Sequence, residues 1–416
     1  MPRLLVDVGP LRQHRDFRLL IGGQLVSLLG SNLTLVAVPY QVYLLTHSSL
    51  WVGTASLLQL PPLVAGSLWG GVLGDRYDRR TLFVASSLVL ALLSAALALN
   101  TAGGDLASLL SLAALAAGAG GFAGPVRTAT IPVLVGPDEL VAAYSVNQVI
   151  VNVAAILGAA LAGVLIAAVG LVACYGIDAT SFAILALATA RMRPLPPSGA
   201  HAGIALTRAV ADGFRYIRAT PLAQAVYLID LNAMVFGLPR ALFPAVALTL
   251  YHGGARTVGL LYAAPGVGAL AMALGTGWIA HVRRRGRLVV LVVVGWGLAM
   301  AIFGLVPVPA VGLACLAGAG AMDVVSTVLR NTVLQSAITD EFRSRVSAIQ
   351  LAVVTGGPRL GDLEAGAVAS LTSTEFSIVS GGIACIVGAV ALARWRRTFW
   401  RDGADRQAAA PPRDGG

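Results

Sequence analysis

The stretch Gly66-Ser67-Leu68-Trp69-Gly70-Gly71-Val72-Leu73-Gly74-Asp75-Arg76-Tyr77-Asp78-Arg79-Arg80 runs from an apolar segment straight into a charged one. Gly66, Gly70 and Gly74 recur every four residues, so they share one helix face, and a face without side chains lets a second helix approach closely. The charges that follow mark the point where such a helix leaves an apolar medium. There Asp75 can meet an arginine or a helix amino terminus of the partner half, and Arg79 and Arg80, with Arg76 in the same cluster, can latch to acidic groups. A cluster of this kind, with Gly71 beside it, reads as a latch that holds one conformation closed and releases it in another.

The rest of the chain supplies the apolar medium. Of 416 residues 57% are hydrophobic and 12% charged, with 48 glycines and a mean hydropathy of +0.81. That composition excludes a soluble enzyme and a disordered chain, and it is far more apolar than the alternating strands of a membrane β-barrel. Apolar runs long enough to cross a bilayer, about 20 residues each, fall at 19–45, 50–74, 81–100, 107–132, 140–169 and 171–190, and again at 222–250, 256–281, 287–306, 309–331, 344–372 and 375–393. The expected fold is an all-α integral membrane protein of twelve transmembrane helices in two six-helix halves. The expected organisation is a segment 1–18, a first half 19–190, a linker 191–221, a second half 222–393 and a tail 394–416.

Charge fixes the direction. The net charge of +10 comes from 29 arginines and no lysine, grouped between apolar runs, which is a topology signal and not a nucleic-acid signature. With the amino terminus in the cytoplasm, 26 of the 29 fall on the cytoplasmic side; Arg256 lies opposite, and Arg240 and Arg359 lie within spans. Both termini are therefore expected in the cytoplasm. Arg3, Arg12, Arg15 and Arg18 precede a long apolar stretch without a cleavage pattern, so the first span reads as an anchor and not as a signal peptide. In the linker, Ile204, Val210, Phe214 and Ile217 oppose Arg208, Asp212, Arg215 and Arg218, the pattern of an amphipathic surface helix. The tail beyond Trp400 has a disordered composition.

The halves echo each other. Val52-Gly53 and Gly71 recur as Val258-Gly259 and Gly277, and the stretch Arg127 to Gln148 is matched by Arg330 to Gln350. Parallel repeats of this kind imply a pseudo-twofold axis along the membrane normal, the plan of a rocking transporter.

Ionisable residues inside spans are the site candidates, because such a charge costs about 2.5–3.5 kcal/mol on insertion scales unless paired or wetted. Asp178, Asp230, Arg240, Asp323, Arg359, Asp362 and Glu364 qualify, six of them in the second half. The second half is thus expected to carry the polar chemistry, substrate contact or proton coupling. Asp230 and Arg240 lie ten residues apart, about 15 Å along a helix, and need partners elsewhere. Arg240, after Pro239, suits an anionic group or a bridge to Asp323 or Asp362. Arg359 and Asp362 share a face, and Asp178 reads as a packing residue.

Competing classes find no support in the residues. The histidines (His14, His47, His201, His252, His281) are scattered, and Cys174, Cys315 and Cys385 sit singly in apolar runs, so no catalytic pair, metal cluster or cofactor site is visible. Without lysine there is no phosphate-binding loop of the usual kind. Energy is then expected from an ion gradient or from the substrate's own gradient; a monomer is the default for such a bundle.

Gly71-x-x-x-Asp75-Arg76-x-x-Arg79-Arg80 resembles the signature loop of the major facilitator superfamily, with Asp78 where that signature has glycine. Asp16-Phe17-Arg18, Val38-Pro39, Thr46-His47-Ser48, Pro125-x-Arg127-x-Ala129, Gly213 to Ile217, Arg240-x-Leu242-x-Pro244 and Thr332-x-Leu334-Gln335 extend the resemblance to the enterobactin exporter branch and related bacterial drug exporters. It implies proton-driven export of a siderophore or another hydrophobic small molecule across the inner membrane. Multidrug efflux, nutrient import and a transporter-like sensor stay open. The resemblance also implies an arginine midway along the fourth span, yet Leu109 to Gly124 has no ionisable residue, and Arg127 reads as lying near the cytoplasmic end.

Overall fold

The computed structural model describes residues 7–103, 105–196, 214–215, 217–218, 220–282, 284–337 and 343–395. Among them the chain is helical, without strands. Short α1 (Gly9–Gln13) leads into α2 (Arg15–Thr46), α3 (Ser49–Leu58), α4 (Leu60–Arg76), α5 (Arg79–Gly103), α6 (Leu106–Val135), α7 (Leu140–Val169) and α8 (Leu171–Ala190). Then come α9 (Pro221–Phe236), α10 (Ala255–Ala273), α11 (Arg285–Leu305), α12 (Pro309–Ala337), α13 (Arg343–Leu371) and α14 (Thr374–Trp395). The expected linker helix falls outside the described residues except at 214–215 and 217–218, and so does the tail beyond Trp395.

The punctuation is local chemistry. α2 stops where His47 turns left-handed, and α6 and α7 stop at Gly136 and Gly170, whose φ of 75° and 87° suit a residue without Cβ. Asp105 caps α6 by accepting from the Ala107 and Ser108 amides. α3 and α4 cross the membrane together, interrupted only at Gln59, with Pro61 and Pro62 in the first turn of α4.

Ten helices among the described residues are long and apolar enough to cross a membrane. Two of the twelve expected spans are not in that set. The run 256–281 is helical only as far as Ala273 and carries Arg256 and Pro265, followed by a separate 3₁₀ segment Thr276–His281. The run 344–372 is a continuous helix, but Arg359, Asp362 and Glu364 in α13 lower its hydropathy.

The chain divides into two compact units, Met1–Ala202 with Phe243–Ala263, and Gly203–Leu242 with Ala264–Gly416. In the first unit the main pairings are α4 with α6, α5 with α8, and α2 with α7 and α8. The opening stretch sets the first of these: a Cβ on Gly66 would strike the Gly118 carbonyl, and one on Gly70 the Phe122 carbonyl. At Gly74 the nearest atom would be an ordinary 3.6 Å away, and at Gly71 there is open space. Gly66→Ala and Gly70→Ala are therefore expected to lower the unfolding temperature in detergent by several degrees, while Gly71→Ala and Gly74→Ala leave it unchanged; equal effects at all four would refute the crossing.

In the second unit α11 packs on α12 and α14, and α9 on α13 and α14. α10 meets α12 as α4 meets α6: Cβ atoms on Gly268 and Gly320 would strike the carbonyls of Ala317 and Pro265. The repeat seen in sequence thus recurs as a glycine crossing in each unit.

Candidate functional site

The signature loop is tied down within the first unit. Arg79 is buried; its Nε donates to the Gly74 carbonyl at 3.1 Å and Nη1 to the Ala129 carbonyl at 2.9 Å, while Asp75 lies 3.8 Å from Nη2. Arg80 donates to the Ala190 carbonyl at 2.5 Å. Gly74 and Ala190 lie in the last turns of α4 and α8, where unpaired carbonyls and the helix dipole favour a cation, while Ala129 lies six positions before the end of α6. Arg76 is exposed and makes no hydrogen bond or ion pair among the described residues. Asp78, the departure from the signature, caps α5 by accepting from Thr81 N at 2.9 Å and also accepts from Leu195 N at 2.7 Å. Arg79 N donates to the Leu195 carbonyl at 3.0 Å, so Met192–Leu195 docks on the unit with Leu195 in its core. The aspartate supplies a tether that glycine lacks.

Asp178 sits apart, 2% exposed at the junction of α2, α5 and α8. Its Oδ2 accepts from Thr34 Oγ1 and Ser94 Oγ, each at 2.7 Å, and Oδ1 is buried without a partner. Gly30 leaves room for it, since a Cβ there would lie 2.8 Å from Oδ1.

All six other ionisable candidates lie in the second unit, and five of them are brought together there. Asp230 on α9 faces Arg330 on α12 at 2.8 Å, with side chains 7% and 5% exposed. Asp230 Oδ1 and Arg330 Nη1 are buried without hydrogen bonds, so the pair is held by charge at close range. Arg330 Nη2 also donates to Thr327 Oγ1 at 3.1 Å, and Thr327 donates to Asp323 Oδ1 at 3.3 Å. Asp323 in turn feels the charges of both Arg330 and Arg240. The chain of contacts is Asp230, Arg330, Thr327, Asp323, with Arg240 beyond.

Arg240 owes its place to a break. α9 ends at Phe236, and Gly237 and Pro239 turn the chain into a 3₁₀ segment Arg240–Leu242 and a π-helical run Val246–Leu250. Backbone groups freed in a membrane interior need partners. The Gly237 carbonyl accepts from Trp296 Nε1 at 2.5 Å, and Ala241 N donates to Asp362 Oδ1 at 3.0 Å. Arg359 donates to the Thr355 carbonyl at 2.8 Å and is within electrostatic reach of Asp362 and Arg240. α13 comes close enough because Gly361 lies on the α9 backbone, where a Cβ would be 2.5 Å from the Val235 carbonyl. Glu364 is partly buried and makes no hydrogen bond or ion pair among the described residues.

Two arginines were missed as site residues. Arg330, counted as a cytoplasmic flank, is buried inside α12, seven positions in from Ala337. Arg127 lies inside the 30-residue α6, eight positions from its end, partly buried and without a partner among the described residues. The echo between Arg127 and Arg330 was the available signal: both repeats place an arginine in the corresponding helix. Where the second unit pairs it with Asp230, the first has Gln24 at the equivalent place on α2, buried and bonded to Asn147 at 2.9 Å.

Comparison with known proteins adds an independent line. A family described as "Transmembrane secretion effector" matches residues 6–412. The enterobactin exporter EntS of Citrobacter koseri is 32% identical over 388 residues, covering 92% of each chain. That of Escherichia coli O139:H28 is 30% identical over 404 residues, covering 95% of this chain and 96% of the relative. Among solved structures, a peptide transporter POT in complex with alafosfalin matches with a TM-score of 0.76 at 12% identity, covering 96% of this chain and 98% of its own. A bacterial homologue of the human lysosomal transporter Spinster, in an inward-facing unoccupied conformation, matches with 0.73 at 16% identity, covering 94% and 99%. At such identities the structures speak for the fold alone.

Proposed function

The chain belongs to the transmembrane secretion effectors of the major facilitator superfamily, a family of membrane transporters and not of enzymes, and on that premise we propose that it exports a siderophore-like or other hydrophobic small molecule across the bacterial inner membrane. The observation that carries the reading is the match to exporters of enterobactin along more than nine-tenths of the chain at 30–32% identity.

In this reading α10 and α13 complete twelve spans in two six-helix halves, with both termini cytoplasmic as the arginine distribution requires. α13 is too polar for a helix bathed in lipid, and that polarity suits a wall of an aqueous pathway. Export proceeds by alternating access in exchange for protons. Arg127 and Arg240 are the cations that meet an anionic cargo. Asp230, Asp323, Asp362 and Glu364 are the proton-carrying candidates, and the chain through Arg330 and Thr327 lets a change at one carboxylate alter the partners of the next. The Asp75–Arg80 loop acts as the latch, strengthened by the Asp78–Leu195 tether.

Small-molecule profiling of iron-starved cells with and without the gene tests the cargo. Retention of a siderophore inside cells lacking the gene, reversed by the wild type, is expected; identical profiles would overturn siderophore export and favour drug efflux.

A further inference from the structure

The first unit holds a carboxyl group that neither the latch nor the polar chain of the second unit uses. Asp178 lies near the middle of α8, seven residues past Leu171 and twelve before Ala190, and is 2% exposed. Its two donors, Thr34 Oγ1 from α2 and Ser94 Oγ from α5, converge on Oδ2 at 2.7 Å, and Oδ1 is buried with no partner. The neighbouring hydroxyls point elsewhere: Tyr175 donates to Gln41 Oε1 and Ser181 to the Asp178 carbonyl, each at 2.7 Å. A Cβ on Gly30 would lie 2.8 Å from Oδ1 and closer still to Ser181 Oγ, so the α2 backbone seals the side on which Oδ1 lies.

No cation is within reach along the helices that surround it. α8 packs on α5, α2 and α7, and α7 and α8 contain no basic residue. On α2 the basic residues are Arg15 and Arg18, the nearer sixteen residues from Thr34 and about 24 Å along the axis. On α5 they are Arg79 and Arg80, the nearer fourteen residues from Ser94 and about 21 Å along the axis. Arg191, just past α8, is thirteen residues from Asp178, about 20 Å. Arg127 on α6 is two residues from Ala129, whose carbonyl Arg79 reaches, and so lies near the level of Arg79. The other acidic group on these helices is Asp16 in the first turn of α2, and the remaining titratable side chains are Tyr40, Tyr43, Tyr144, Cys174 and Tyr175.

The two protonation states of a carboxyl group ask for different surroundings. An ionised carboxylate only accepts, and it accepts at both oxygens; a protonated one has a carbonyl oxygen that accepts and a hydroxyl oxygen that need not. Two donors on Oδ2 and none on Oδ1 fit the second form. The energies agree, because a buried charge without a counter-charge costs more than a neutral O–H left without an acceptor.

We propose that Asp178 is a proton-binding site of the first unit, holding a proton on Oδ1 as a neutral carboxylic acid whose carbonyl oxygen, Oδ2, ties α2 and α5 to α8. The site is separate from the carboxylates of the second unit, and nothing in it depends on the cargo or on the exporter reading.

Infrared difference spectroscopy of the purified full chain in detergent at neutral pH tests it. Subtracting the spectrum of Asp178→Asn from that of the wild type cancels the carboxyl groups common to both. The difference is expected to show a carboxylic-acid C=O stretch and no loss of the ionised-carboxylate bands. Loss of carboxylate bands, with no carboxylic-acid band, would overturn the proposal. A second variant, Thr34→Val with Ser94→Ala, removes both donors and keeps the acid, so the same C=O stretch is expected to move to higher frequency. A band that stays in place would show that the acid is not Asp178, which keeps the proposal testable if Asp178→Asn fails to fold. An ionised Asp178 serving only to pack the helices would give neither signature.

Discussion

Arg330→Ala is expected to abolish transport and to destabilise the protein by about 3–5 kcal/mol, the usual cost of stranding one partner of a buried ion pair. The magnitude follows from burial: both partners are under a tenth exposed and lie 2.8 Å apart, and water is not available to take over the Asp230 charge. The loss includes the tie to Thr327 and through it to Asp323. Replacing both partners by neutral, similarly shaped groups, Asp230→Asn with Arg330→Gln, removes the charges together and is expected to recover most of the stability without recovering transport. Unfolding midpoints in detergent and uptake in reconstituted vesicles separate the two effects. If the double variant transports normally, the pair is a structural brace and has no part in coupling; if Arg330→Ala keeps wild-type stability, the buried pair itself is wrong.

Gly163→Val is expected to stop transport by a different route, through the backbone contact of α7 with α10 inside the first unit. A Cβ on Gly163 would lie 2.7 Å from the Ala255 carbonyl and 2.9 Å from the Gly259 Cα, and one on Gly259 would lie 2.7 Å from the Gly163 backbone. Atoms at those separations must move, and the neighbours are main chain, so the helices themselves must part. Under the proposed topology both residues lie toward the outer ends of their helices, and parting them opens the outer side. Ala255→Cys is a reporter because Ala255 is 5% exposed. In a background without Cys174, Cys315 and Cys385, its labelling by an impermeant maleimide should rise at least tenfold when Gly163 becomes Val. Unchanged labelling together with normal transport would refute the contact.

What was legible in the sequence tracks how local its cause is. Gly66 and Gly70 announce a close helix crossing because the i, i+4 period and the missing side chains are properties of one segment, and the carbonyls of α6 occupy that face. The break at Gly237–Pro239 was not legible: the spacing puts Asp230 and Arg240 about 15 Å apart on one helix, whereas α9 ends at Phe236 and Arg240 begins a separate 3₁₀ segment. Pairing was not: Asp230 and Arg330 are a hundred residues apart, and nothing in either segment names the other. Arg330 was miscounted because a hydropathy boundary near residue 331 places it at the membrane surface, whereas α12 continues to Ala337 and keeps it inside. Arg127, expected near the cytoplasmic end, lies eight positions before the end of α6. The set of long apolar helices leaves out α10, which ends at Ala273 and carries Arg256 and Pro265, and α13, whose Arg359, Asp362 and Glu364 lower its hydropathy. Asp178 was read as a packing residue from its helix alone; its two hydroxyl partners come from α2 and α5.

Proton-driven export is tested most directly in inverted membrane vesicles, whose lumen corresponds to the outside of the cell. With the lumen acidified, vesicles containing the protein should accumulate an added siderophore as protons leave, and a protonophore should discharge it. Accumulation should be lost in Arg330→Ala and lose its dependence on the pH gradient when Asp362 and Glu364 are replaced by Asn and Gln. Accumulation that persists with the gradient collapsed would contradict proton coupling, and no accumulation of any siderophore or hydrophobic dye by the wild type would contradict export itself.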